Sequence, residues 1–277
     1  MTHSVQIDGG PPQPAKSRPG TAIMFGIPEP ELARLAALAG VGSVILDGEH
    51  GFPLDGFVQP VVSAVKGAGS KCIARIGKNA LSRVAPLADV GVDGFILSSP
   101  DRLSDLDELT QEAMFVDRGR RSVNPFVAAA GIPGDISALR ATSASLELWA
   151  MAESPAFLQA MRDAVASRHR PKFWTGIIIG PYDLASSLRC EPDPSDPKLS
   201  AAVLEFAHTA SALGVRCGLF VRDPSMLVAW SAVGVAPNLV VIGYDRDVWF
   251  QECRRRVATV HEELAAAAGI LTMEGGA

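Results

Sequence analysis

The chain has 277 residues, 48% of them hydrophobic, enough to bury one large core or two modest ones. Its 25 basic side chains against 30 acidic ones create no basic field, so neither nucleic acid nor an anionic membrane is an expected partner. No apolar run reaches the length of a membrane span, no secretory leader is visible, and Cys72, Cys190, Cys217 and Cys253 lie far apart without a C-x-x-C pair. The expectation is a soluble, cytoplasmic protein with reduced core thiols.

Residues 1–20 are rich in proline and glycine without hydrophobic periodicity and are predicted as a disordered tail, and 269–277 as a flexible end, leaving 21–268 as one domain. Within it, strand-like apolar runs at 22–26, 43–47, 71–76, 94–99, 146–153, 176–180, 215–221 and 239–243 alternate with helical spacing. The helical stretches are 30–38, 55–66, 80–89, 101–115, 155–167, 200–213 and 224–233. Eight such alternations predict a closed α/β architecture, the (β/α)8 TIM barrel, ahead of a doubly wound open sheet. One connection stands apart. From Val116 to about Ser143 the chain reads as a long loop through Arg118-Gly-Arg-Arg-Ser-Val-Asn-Pro125, a length that usually serves as a site cover or an oligomer contact.

In a parallel barrel the carboxyl ends of the strands converge on one mouth, where ligands bind. The second run ends in Asp47, Glu49 and His50, the third in Arg75, the fifth in Glu153, and the sixth passes through Gly180-Pro-Tyr-Asp-Leu184 to deliver Asp183. Two carboxylates on neighbouring strands suit a hard divalent cation, an arginine offsets the charge of an oxyanion, and a histidine moves protons near neutral pH. Together these residue types suggest enolate chemistry. Each also has a plainer reading. Asp47 and Glu49 can cap the next helix, Arg75 can pair with Asp47 or Asp89 as a structural salt bridge, Asp183 can be an N-cap, and Asp89 reads more readily as an exposed or capping residue. Elsewhere the sequence offers little. Gly40-Val-Gly42 precedes a strand and lacks a third glycine, and there is no G-x-x-x-x-G-K-S/T, H-E-x-x-H or G-x-S-x-G. His3, His169, His208 and His261 fall in tails, connections or helical patterns. A Schiff-base mechanism is disfavoured, because none of Lys66, Lys71, Lys78, Lys172 and Lys198 ends an apolar strand, although Lys78 follows the third closely.

Taken in order, Asp47-Gly-Glu-His50, Arg75, Asp89-Val-Gly91, Glu153 and Ile179-Gly-Pro-Tyr-Asp-Leu184 resemble the class II pyruvate aldolases of the HpcH/HpaI family. The likeness covers roughly 22–266. It implies a metal-dependent carbon–carbon lyase that cleaves or forms 4-hydroxy-2-oxo acids through a pyruvate enolate held on a divalent metal, Mg²⁺ or Mn²⁺ with Co²⁺ also compatible. By that resemblance Glu153 and Asp183 ligate the metal and Arg75 stabilises the enolate oxygen. His50 acts with a metal-bound water as the base, Asp89 orients His50, and Asp47 supports the water network. Gly180, Pro181 and Tyr182 hold the substrate carboxylate at a helix N-terminus. The partners implied are a 2-oxo acid of the pyruvate or oxaloacetate type plus an aldehyde or keto acid. Family members assemble as hexamers, often trimers of dimers exchanging a last helix, and 246–266 is long enough to do so.

The chain departs from its relatives at Met151, at Ser98-Ser-Pro100 and at Arg120-Arg-Ser-Val-Asn-Pro125. An altered acceptor pocket is therefore expected, with Arg121 and the neighbouring Arg118 and Arg120 as candidates for binding a carboxylated partner and Glu49 as a further substrate-binding candidate. Two other functions stay open at this point: a condensing enzyme that adds an enolate to a 2-oxo acid, in the manner of citrate-synthesising or acyl-CoA lyase relatives, and a catalytically silent barrel serving as a binding or assembly subunit.

Overall fold

The computed structural model describes residues 20–51, 58–116, 118–169 and 172–274, with side chains to 267. Eight parallel strands close into a barrel in sequence order: β1 (Gly20–Phe25), β2 (Ser43–Asp47), β3 (Lys71–Ile76), β4 (Gly94–Leu97), β5 (Glu147–Ala152), β6 (Trp174–Ile179), β7 (Arg216–Phe220) and β8 (Leu239–Tyr244). Around them run α1 (Pro30–Leu38), α2 (Val58–Gly67), α3 (Val84–Val90), α4 (Leu103–Ala113), α5 (Ile136–Ala144), α6 (Pro155–Ser167), α7 (Pro181–Leu188), α8 (Pro197–Ala212), α9 (Met226–Ala232) and α10 (Asp245–Glu274). The predicted barrel is the observed one. Strands of this kind are buried on both faces and so read as continuous apolar runs, as β2 does with all five residues buried.

Alternation along each strand sorts the core into two shells. Val44, Leu46, Phe95, Leu97, Ile177 and Ile179 face the helices, whereas Met24, Ile45, Ile73, Ile96, Trp149, Met151 and Ile178 fill the barrel. Trp149 is fully buried in that interior. Its ring occupies the space a Cβ on Gly176 of the adjacent strand would need, with the nearest ring carbon at 2.6 Å, so Gly176 is the residue that lets the indole lie flat across the barrel. Arg216 stacks over the same ring at 4.8 Å, and the indole N–H donates to Glu147 at 3.0 Å.

Helix starts follow local chemistry. Ser154 accepts from the Phe157 amide at 3.1 Å ahead of Pro155, and Asp196 accepts from the Lys198 amide at 2.8 Å ahead of Pro197. The helix expected over 80–89 is split: a 3-10 segment, Lys78–Arg83, kinks at Ala80 before α3 begins. The long loop expected from Val116 to Ser143 is shorter than expected, because a 3-10 turn, Ala128–Ala130, and α5 fold within it. Asp135 caps α5 by accepting from the Ala138 amide at 2.8 Å. The first residues of the helix expected over 55–66 and the tail at 1–19 lie outside the described residues. At the other end α10 runs on to Glu274, past the point where the sequence predicts the fold to stop.

All four cysteines are free. Cys72 and Cys217 are core thiols as expected, but Cys253 is exposed on α10 and is not. No helix among the described residues is long and apolar enough to cross a membrane.

Candidate active site at the barrel mouth

Register sets the level of the site. Asp47 pairs with Arg75 across β2 and β3, and Ala152 pairs with Ile179 across β5 and β6, so Glu153 and Gly180 leave their strands side by side. Asp47, Arg75 and Glu153 each continue the inward set of their strand, two residues beyond Ile45, Ile73 and Met151. They are buried charges at the top of an apolar plug, with 0%, 5% and 5% of their surface exposed.

Asp47 and Arg75 hold one another. Both Nε and Nη2 of Arg75 lie 2.8 Å from Asp47 Oδ1, and Nη1 reaches Glu49 Oε2 at 3.1 Å. The amides of Glu49 and His50 donate to Asp47 Oδ1 at 3.0 and 3.2 Å, and the Tyr244 hydroxyl donates to Oδ2 at 2.7 Å. Burial pushes the Asp47 carboxyl up, but the Arg75, Tyr244 and backbone donors outweigh it and hold it below the ordinary range. For Arg75 burial works against the charge, and Asp47, Glu49 and Glu153 more than restore it. Each oxygen of Asp47 is thus engaged within the protein. Its place is beneath the mouth, fixing the direction of the guanidinium.

A cavity of about 330 Å³ opens above this pair, lined by His50, Arg75, Glu153, Gly180, Tyr182 and Asp183, with Met24, Met151, Phe220, Tyr244 and Arg246 completing the wall. Burial and then the charge of Asp183 push Glu153 up to about 7, against the pull of Arg75. The hydroxyl of Ser99 donates to Glu153 Oε2 at 3.2 Å, and Ser187 donates to the Glu153 backbone carbonyl at 3.2 Å. A Cβ on Gly180 would sit 2.6 Å from Glu153 Oε1 and 3.1 Å from the Met151 methyl, so only glycine lets the loop into α7 pass this close to the carboxylate. Glu153 is buried and feels the charge of the exposed Asp183 at the rim of the same cavity, and a hard divalent cation between them relieves that repulsion. No cluster of three or more His, Cys, Asp and Glu gathers among the described residues. The donor set therefore fits a cation that takes its remaining oxygens from water and substrate.

His50 lines the same cavity at its rim, its side chain mostly exposed and 3.7 Å from Glu49. Asp89 does not reach it. It sits near the end of α3, in the turn that feeds the amino end of β4, at the opposite rim of the barrel. There it meets Arg121, 4.0 Å away, whose guanidinium lies 4.1 Å over the Phe115 ring. Burial pushes the Asp89 carboxyl up and the Arg121 guanidinium down, each partner only partly offsetting it. The two belong to the packing of the 116–135 segment within this chain, and neither lines the mouth.

Three contributors were not legible in the strand-end reading. Tyr244 and Arg246 line the cavity, and Asp245 accepts from the Gly26 and Ile27 amides at 3.1 and 2.9 Å, fastening the end of β8 to the end of β1. The inward alternation of β8, Leu239 and Val241, points to Gly243 and past Tyr244; the positive φ of that glycine, 130°, breaks the pattern and Tyr244 packs against the interior instead.

A 2-keto-3-deoxy-L-rhamnonate aldolase of Klebsiella pneumoniae is 25% identical over 238 residues, covering 84% of this chain and 86% of its own. Among solved structures, an HpcH/HpaI aldolase from Desulfitobacterium hafniense superposes with a TM-score of 0.78 at 20% identity over 88% of this chain and 93% of that one. Citrate synthase SbnG does so with a TM-score of 0.75 at 20% identity over 88% and 94%. These two likenesses establish the fold. The profile of the HpcH/HpaI aldolase/citrate lyase family matches residues 24–246, from the inner face of β1 to the first turn of α10 and across every strand end that builds the mouth, and the chain belongs to that family.

Proposed function

We propose that the protein is a divalent-metal-dependent aldolase that makes or cleaves 4-hydroxy-2-oxo acids by way of the enolate of pyruvate or a close 2-oxo acid. The observation that carries this reading is a buried Glu153, raised by the charge of the neighbouring exposed Asp183, beside the aimed guanidinium of Arg75 over one cavity. A bound Mg²⁺ or Mn²⁺, with Co²⁺ as a substitute, would supply Lewis-acid stabilisation of developing negative charge worth several kcal/mol.

The chain's own groups do the rest. Glu153 and Asp183 hold the cation. Arg75, kept fully charged by Asp47 and Glu49, faces the enolate oxygen with donors already in place. His50 takes the proton from the carbon next to the carbonyl and returns one on cleavage. The N-terminal turn of α7, at Gly180, Pro181 and Tyr182, receives the substrate carboxylate where backbone dipoles favour an anion. Solvent deuterium exchange into the methyl group of pyruvate tests this directly. Exchange is expected with Mn²⁺ or Mg²⁺ and absent after chelation, and His50→Ala should slow it about 10²-fold. Exchange indifferent to chelation would remove the metal from the scheme.

We also infer a homo-oligomer, a hexamer or trimer of dimers, on the strength of α10. Its described side chains from Arg254 to Ala267 are all exposed, Val257, Val260 and Leu264 among them, and Trp249 and Phe250 precede them on the surface. A helix so long with so little packed against it is poorly stable alone. Ending the chain before Cys253 should reduce the mass measured by light scattering to that of one chain, and a full-length monomer would refute the assembly.

A further inference from the structure

Tyr244 stands in the wall of the Glu153 cavity, and the backbone on both sides of it is arranged to hold it there. Before it, Gly243 takes a left-handed φ that suits glycine. After it, Asp245 accepts from the Gly26 and Ile27 amides at 3.1 and 2.9 Å, and Arg246 donates to the Gly26 carbonyl at 3.2 Å, so the tyrosine is pinned to the end of β1. Gly26 also makes the room. A Cβ there would run into the hydroxyl and the ring of Tyr244. These features together aim one group, the phenolic hydroxyl, at Oδ2 of the fully buried Asp47, 2.7 Å away.

The consequence falls on Arg75. Arginine and a carboxylate commonly pair in parallel, two nitrogens on two oxygens. Here Nε and Nη2 of Arg75 both lie 2.8 Å from Oδ1, and Oδ2 belongs to Tyr244. A guanidinium carries five N–H donors; the contacts of Nε and Nη2 to Asp47 and of Nη1 to Glu49 use three, and two remain for the cavity that Arg75 lines. Burial and the bond to Asp47 push the tyrosine hydroxyl up, so it keeps its proton and stays a donor. Without that hydroxyl, Oδ2 is a buried acceptor lacking a partner, and Arg75, already on the other oxygen, is the donor placed to satisfy it.

We propose that Tyr244 is a positioning residue for the reaction: by holding Oδ2 it keeps Asp47 from drawing Arg75 into a two-point fork, and so keeps the outer N–H groups of the guanidinium directed at the oxygen that gains charge as the enolate forms. The proposal rests on the aldolase reading above. Its effect belongs to the enolate more than to the keto acid, so it enters kcat ahead of KM.

Tyr244→Phe keeps the ring in the wall and deletes only the hydroxyl. In the Mn²⁺-loaded enzyme this variant is expected to exchange deuterium into pyruvate with kcat lowered about tenfold to a hundredfold and KM within about twofold of wild type. Oxalate, whose adjacent carboxylates reproduce the planar charged oxygens of pyruvate enolate, should bind about tenfold more weakly, with Mn²⁺ binding by titration calorimetry unchanged. A purely structural role would lower the melting temperature and leave oxalate alone. Asp47→Asn checks the route: in that background Tyr244→Phe should cost less than about a further twofold in kcat. Should Asp47→Asn fail to fold, oxalate and the split between kcat and KM in the single variant decide. Wild-type kcat and oxalate affinity in Tyr244→Phe, or full additivity with Asp47→Asn, overturn the role of Tyr244 and leave the aldolase reading standing. Absence of Mn²⁺-dependent exchange in the wild type would bring down that reading itself.

Discussion

Glu153→Gln is expected to abolish metal-dependent turnover while making the metal-free protein more stable above neutral pH. The two effects have one source. Burial and the neighbouring Asp183 lift the Glu153 carboxyl from 4.5 to about 7. The folded state therefore binds this proton more tightly than the unfolded chain does. The resulting contribution to stability is complete below the unfolded value, declines as pH rises, and is gone above the folded one. Integrated over that window it amounts to about 3 kcal/mol, since each tenfold change in proton affinity is worth about 1.4 kcal/mol. The melting temperature of the chelated protein should accordingly fall between about pH 5 and about pH 8. Mn²⁺ should recover it at the upper end and have little effect at the lower, where protons compete. Glu153→Gln flattens the profile and removes the response to Mn²⁺. Asp183→Ala should also lose turnover, and should shift the decline to lower pH by removing the opposing charge. Calorimetry across pH with and without Mn²⁺ reads all of this. A flat wild-type profile, or full activity in either variant, would refute the cation assignment.

Arg75→Ala should be the most damaging single change to both folding and catalysis. Its fork occupies Oδ1 of an Asp47 with no exposed surface, and its other arm reaches Glu49. Without it Asp47 keeps the Tyr244 hydroxyl and two amides but no counter-charge. Removing one member of such a buried pair costs about 3–5 kcal/mol. Denaturant titration measures this, and Asp47→Asn placed in the same background should regain part of the loss, because the stranded charge has gone. Arg75→Lys should fold better than Arg75→Ala yet turn over poorly, since an ammonium cannot serve Asp47, Glu49 and an enolate oxygen at once. Stability within about 0.5 kcal/mol of wild type for Arg75→Ala would refute the account.

Much of this was written locally in the chain. Strands buried on both faces must be apolar along their length, so runs such as 43–47 and 71–76 mark their own limits. A charged residue ending such a run lies at the carboxyl end of the strand, where a parallel barrel builds its site, and Asp47, Arg75 and Glu153 were legible for that reason although all three are buried. What escaped was non-local or weakly patterned. The bond from Tyr244 to Asp47 joins residues 197 apart, and nothing in the spacing around either announces it. Helix α5 is built from small residues and carries little apolar periodicity, its clearest local mark being the Asp135 cap. Helix α7 opens on Pro181 directly from a strand end, so a helix N-terminus was legible there while its run from Pro181 to Leu188 was not. The resemblance set Asp89 beside His50, but the chain alone carries the two residues to opposite rims, where Asp89 finds Arg121.

The indole of Trp149, laid across the barrel over a glycine that makes room for it, closes the route through the centre. The cavity over Glu153 is then reached from the carboxyl ends of the strands. Whatever settles deepest, against Glu153, must arrive before the molecule that covers it and depart after, so an order of events is built into the architecture before any chemistry begins.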